Sequence, residues 1–123
     1  MKRTIRVSIA VLALTSLEAA ANQPPVGIFR CHATDMRPMA TLLLDGHGMY
    51  QLIAAKGPDF AADPEAPHNG AGTYAIEGMH MTFGSGPISE LLDAAGNVLG
   101  EGQEATIGIA NTKGTVMTCL STV

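Results

Sequence analysis

The chain reads as an all-β protein, a small antiparallel meander barrel of seven or eight strands closed by one disulfide. Three observations predict this. Gly-x-aromatic recurs as Gly27-Ile28-Phe29, Gly48-Met49-Tyr50 and Gly72-Thr73-Tyr74. In each, the glycine marks a turn and the aromatic begins a pleated run. Apolar and polar residues alternate with a period of two in several segments. Two cysteines, Cys31 and Cys119, stand near the two ends of the segment that carries this pattern.

The first element is an export signal. Lys2, Arg3 and Arg6 form a basic start, Val7 to Leu17 is an apolar run, and Ala19-Ala20-Ala21 supplies small residues for cleavage. The expected cut follows Ala21, so that 1–21 is a Sec-type signal peptide and 22–123 a single domain. The apolar run is shorter than the roughly 20 residues a membrane span needs. No cysteine directly follows the small-residue box, as lipoprotein processing would require; Cys31 comes after Ile28-Phe29-Arg30 instead. The expected location is the periplasm or the outside of the cell.

Removing 21 of 123 residues leaves 102, enough for one small domain. Of seven basic and 11 acidic residues, three bases and Glu18 leave with the signal. Four bases and 10 acids remain, a net charge of −6 with neutral histidines. That balance argues against nucleic acid and anionic lipid surfaces as partners. In an exported chain two cysteines are expected to pair, and two permit one connectivity.

The strands are expected at Val26–Ala33, Met39–Asp45, Gly48–Ala55, Ala71–Glu77, Met79–Gly84, Gln103–Ala110 and Thr115–Ser121, with a weaker one through Asn97–Glu101. Asp45-Gly46-His47-Gly48, Glu77-Gly78 and Asn111-Thr112-Lys113-Gly114 supply turn chemistry between neighbours. Tyr74 and Ile76 share one face of their strand, Met79, Met81 and Phe83 one face of the next, and Ile107 and Ile109 a third. Only Ile88–Ala95 has room for a helical turn or two, stopped by Gly96. Such a set builds a barrel or a sandwich. A lipocalin-like barrel is favoured, because closure removes sheet edges and brings the first and last strands together.

Lys56–Gly70 holds three prolines and the acids Asp59, Asp63 and Glu65. It is longer than a hairpin needs and reads as a solvated connection or a binding loop. No calcium-loop series occurs in it. Gly84 to Gly102 reads as a second turn-rich excursion.

Catalytic signals are sparse. Gly84-Ser85-Gly86 is not G-x-S-x-G. His32, His47, His68 and His80 show no metal-ligand spacing. Met79-His80-Met81 invites a copper reading, since thioethers suit Cu(I). On a strand, however, the two methionines would face away from His80. The expectation is a non-enzyme with no cofactor and no metal.

Two resemblances bear on function. Gly27-x-Phe29-x-Cys31, Asp45-Gly46-x-Gly48-x-Tyr50, Gly72-x-Tyr74 and Phe83-x-Ser85-Gly86-Pro87 resemble a pattern of small uncharacterised exported β-barrel proteins of proteobacteria. Phe29-Arg30-Cys31, Glu104-Ala105-Thr106-Ile107 and the late Cys119 resemble, more weakly, the periplasmic C-type lysozyme inhibitors, which are small β-barrels. That family inserts a Ser-x-Ser-Gly-x-x-Tyr loop into the lysozyme cleft. The nearest string here, Gly84-Ser85-Gly86-Pro87, has no tyrosine after it, and Ser85 alone carries over as a partner contact. The sequence therefore leads to a binding module for an apolar small molecule or an envelope protein. The alternative is an inhibitor of lysozyme or another hydrolase.

Overall fold

The structure is a computed structural model, and residues 23–122 are described. The expected signal peptide and its cleavage point lie outside the described residues. Nine strands are present among the described residues: β1 (Gly27–His32), β2 (Pro38–Leu44), β3 (Met49–Lys56), β4 (Ala61–Ala62), β5 (Gly70–Glu77), β6 (His80–Phe83), β7 (Ala95–Leu99), β8 (Thr106–Asn111) and β9 (Gly114–Ser121). A single helical turn, α1 (Pro87–Glu90), follows β6, and a 3-10 turn at Gly102–Glu104 precedes β8.

Eight of the strands close into an antiparallel barrel. β1 pairs with both β2 and β9, β2 with β3, β3 with β5, and β5 to β9 follow one another as a meander. β4 is an extra two-residue strand on the outer end of β3. The closing seam is β1 against β9, where Cys31 lies directly opposite Cys119 and the two form the disulfide. The expected staple therefore lies on the closing pair of strands.

Strand period two builds the interior. Phe29 and Cys31, Leu42 and Leu44, Tyr50 and Leu52, Met81 and Phe83, Ile107 and Ile109, and Met117 and Cys119 all point inward and are buried in one continuous core. Burying a large apolar side chain stabilises by about 1.5–3 kcal/mol, so this set carries most of the favourable energy of folding. An eight-stranded barrel is just wide enough for side chains to fill it, and here they do. Met79 departs from the expected face. It sits in the Gly78-Met79 hairpin loop and is 60% exposed, while Met81 and Phe83 face inward. The reason is turn geometry: Gly78 has a φ of 64°, the left-handed region such a tight hairpin needs, and β6 begins one residue later than expected.

Two other boundaries move. The weak strand expected at Asn97–Glu101 runs at Ala95–Leu99, and Gly100 (φ 84°) turns the chain out of it. The start expected at Gln103 is a 3-10 turn entered at Gly102 (φ 60°), so β8 begins at Thr106.

The barrel ends are defined by β1, with Gly27 at the basal end and His32 at the upper end. α1 lies across the upper end, its Ile88 fully buried against the core. The Tyr50 hydroxyl donates to the Ser85 carbonyl at 2.9 Å and accepts from the Ile88 amide at 3.0 Å, joining this cap to the barrel wall. The long 57–69 connection is also organised. Asn69 accepts from the Ala54 amide at 2.6 Å and donates to the Asp63 carbonyl at 2.7 Å, standing in for ladder bonds where β5 leaves β3. Phe60 then folds over the outer wall, edge-on to His32 at 5.0 Å and with the Arg30 guanidinium 5.1 Å from its ring centre.

Candidate functional site

With the interior filled, the concave surface left for a ligand lies on the outside of the barrel: a smaller cleft of about 290 Å³ is bordered by Leu43, Met49, Gln51 and Ala71, and larger ones lie at the basal rim. A cleft of about 490 Å³ opens at the basal mouth. Three segments distant in sequence converge on it: Gln23–Pro25, the end of the β5–β6 hairpin with Ile76 and Met79, and the end of β7 with Val98, Leu99, Gly100 and Glu101. A cleft of this volume falls in the range of small-molecule sites, about 300–1,000 Å³.

Local chemistry explains how the segments meet. The Val98 amide donates to the Met79 carbonyl at 2.8 Å, holding the hairpin loop onto β7. The Val26 amide donates to the Gly102 carbonyl at 3.1 Å and the Gly102 amide to the Gln23 carbonyl at 3.3 Å, tying the start of the described chain across the 3-10 turn. Pro25 is fully buried, and its fixed φ keeps this entry segment extended. Gln103 is held from the other side, where the Ser121 hydroxyl donates to its carbonyl.

The lining combines apolar and acidic groups. Val98 is buried and Ile76 partly so, while Met79 and Leu99 are 60% and 59% exposed. Exposed large apolar side chains beside a cleft are the informative kind, unlike single ones scattered on a surface. A second concavity of about 480 Å³ adjoins the first, sharing Gln23 and Glu101 and adding Glu104. The described chain has four lysines and arginines, Arg30, Arg37, Lys56 and Lys113. None of them lines either concavity.

Asp45 shapes the neighbouring basal turn. Its carboxylate accepts from the His47 amide at 2.7 Å and the Met49 amide at 3.1 Å. The His47 bond, then the Met49 bond, hold its pKa below the usual carboxylate value. Inside the same end, Tyr74 is 8% exposed, and among the described residues its hydroxyl has no hydrogen bond of regular geometry. It faces the Gly46 and Gly48 amides, and burial raises its pKa.

Ser85 lines neither concavity of this mouth and lies at the upper cap. Its hydroxyl accepts from the Thr73 amide at 3.1 Å and is 3.0 Å from the Thr73 hydroxyl, while its carbonyl takes the Tyr50 proton. The four histidines are dispersed. His32 is on the upper part of β1, His47 in the basal turn, His68 in the long connection and His80 at the start of β6. Among the described residues no group of three His, Cys, Asp or Glu side chains could hold a metal ion. Met81 is buried inside while Met79 and His80 are exposed, so the three do not converge.

The sequence alone does not single out the mouth. Pro24 and Leu99 stand in no motif, and the residues that meet there are separated by about 50 and 20 positions in the chain. The one legible signal is Gly78-Met79, an apolar residue in a hairpin loop where polar ones are usual. No family model, curated protein or solved structure matches the chain.

Proposed function

We propose that this chain is an exported, non-catalytic binding module that takes an apolar small molecule at the basal mouth of a packed barrel. The observation that carries the reading is the pairing of exposed Met79 and Leu99 beside a 490 Å³ cleft, in a molecule whose interior is otherwise filled. Apolar area removed from water is worth roughly 25 cal/mol per Å², so covering these two side chains supplies a driving force for a modest ligand. The Cys31–Cys119 bond supports export, since disulfides persist in oxidising compartments. The hydrolase-inhibitor reading would use Ser85 as a contact, and draws less support because the Ser85 hydroxyl and carbonyl are both engaged in internal bonds.

The test is native mass spectrometry after incubation with an envelope lipid extract, comparing the wild type with Leu99→Asp. A small molecule retained by the wild type and lost in the variant supports the reading. Retention by neither protein overturns it.

A further inference from the structure

The basal mouth has a charge pattern as well as an apolar lining. Glu101 belongs to both concavities, and Glu104 lines the second. Both carboxylates are on exposed residues, free to meet a ligand head group in water. Among the described residues neither forms an ion pair, and the salt bridge found there joins Arg37 to Asp35 at 3.6 Å, at the upper end. The apolar cleft and the acidic concavity share one border, formed by Gln23 and Glu101. A ligand with an apolar chain and a cationic head matches both halves at once.

We propose that the mouth takes cationic amphiphiles, with the chain against Met79 and Leu99 and the head between Glu101 and Glu104. The proposal rests on the apolar-ligand reading above and deepens it by naming the ligand class. An anionic amphiphile would place like charge against Glu101 as its chain entered the cleft. A neutral one would gain the apolar contact alone. Each exposed carboxylate adds a modest attraction, screened by salt, so the expected discrimination is a matter of severalfold.

Three probes with a common ten-carbon chain test it: decyltrimethylammonium, decyl maltoside and decyl sulfate, each below its critical micelle concentration. Binding is followed on the methionine methyl signals of full-length mature protein. Met79 reports the mouth and Met36, which is 66% exposed at the upper end, serves as an off-site control. The expected order is cationic, then neutral, then anionic, with about a threefold to tenfold gap between the first two at low salt. The gap should close in Glu101→Gln/Glu104→Gln and in 0.5 M sodium chloride. It should persist in Asp59→Asn/Glu65→Gln, which removes the same net charge from the upper loop.

Equal affinity for all three probes overturns the charge inference and leaves the apolar reading standing. A cationic preference that survives Glu101→Gln/Glu104→Gln, or falls equally in the upper-loop variant, overturns it too, because net charge then explains the preference. Absence of a Met79 response to any probe overturns both.

Discussion

The Tyr50 hydroxyl accepts a hydrogen bond from the Ile88 amide at 3.0 Å, across 38 positions of sequence. The same oxygen donates to the Ser85 carbonyl at 2.9 Å. One phenol thus satisfies two backbone groups of the cap that closes the upper end, and its ring packs edge-on against Phe83 at 5.3 Å.

Tyr50→Phe keeps the ring and removes the oxygen. It leaves a buried amide and a carbonyl without their partner, which should lower stability by about 1–3 kcal/mol in denaturant titration. Hydrogen exchange at Ile88 should accelerate more than at Ile107, which lies deep in the barrel wall. Burial, the largest influence, also raises the Tyr50 pKa above 10.0, the Ile88 bond opposing it. A raised folded pKa means that this stability is fully present below pH 10 and is lost as pH rises through the folded value. The wild type should therefore weaken in alkali above pH 10, and Tyr50→Phe should make that limb shallower, leaving the part due to Tyr74. An unchanged alkaline limb in the variant would show that Tyr50 is not its source.

Gly72 and Gly108 make opposite predictions although both lie within strands. A Cβ on Gly72 would fall 2.1 Å from the Ser85 carbonyl oxygen and 2.7 Å from Cε1 of Tyr50. The obstruction is backbone and a packed ring, so relief requires moving the cap. Gly72→Ala should cost about 3 kcal/mol or more, at the upper end of overpacking effects. A Cβ on Gly108 meets nothing within 4 Å, and its backbone is not in the left-handed region. Gly108→Ala should be neutral or slightly stabilising, because alanine has less conformational freedom to lose on folding. Thermal melts of the two variants measured together check the contrast.

Reduction of the Cys31–Cys119 bond should lower stability without abolishing the mouth. The bond closes a separation of 88 residues, for which the chain-entropy model gives about 4–5 kcal/mol as an upper figure. The β1–β9 ladder from Phe29 to His32 remains to hold the seam. Cys31→Ala/Cys119→Ala should melt well below the oxidised wild type yet keep the same decyl-probe preference below its own melting range. Loss of probe binding in a folded double variant would tie the bond to the site itself.

Much of the fold is written locally. The turn at Asp45-Gly46-His47-Gly48 is legible because Asp45 has a carboxylate of the right reach to accept its own downstream amides. Inward Ile107 and Ile109 are legible because a strand sends alternate side chains to one face. β4 was not legible. Ala61–Ala62 is two residues long, carries no alternation, and exists because the end of β3 offers unpaired backbone groups. Phe60 over Arg30 and His32 was illegible for a similar reason. The contact depends on where the 57–69 connection falls across the outer wall.

By itself the sequence determined the approximate positions of the eight barrel strands, the turns and the pairing of Cys31 with Cys119, since each follows from short-range periodicity, turn chemistry or a choice with one solution. Only the tertiary structure decided that the interior is filled and that two adjoining clefts open at the basal rim. Packing is a sum over side chains from all eight barrel strands, and a cleft built by Pro24, Met79 and Leu99 exists only once closure has brought three distant segments side by side.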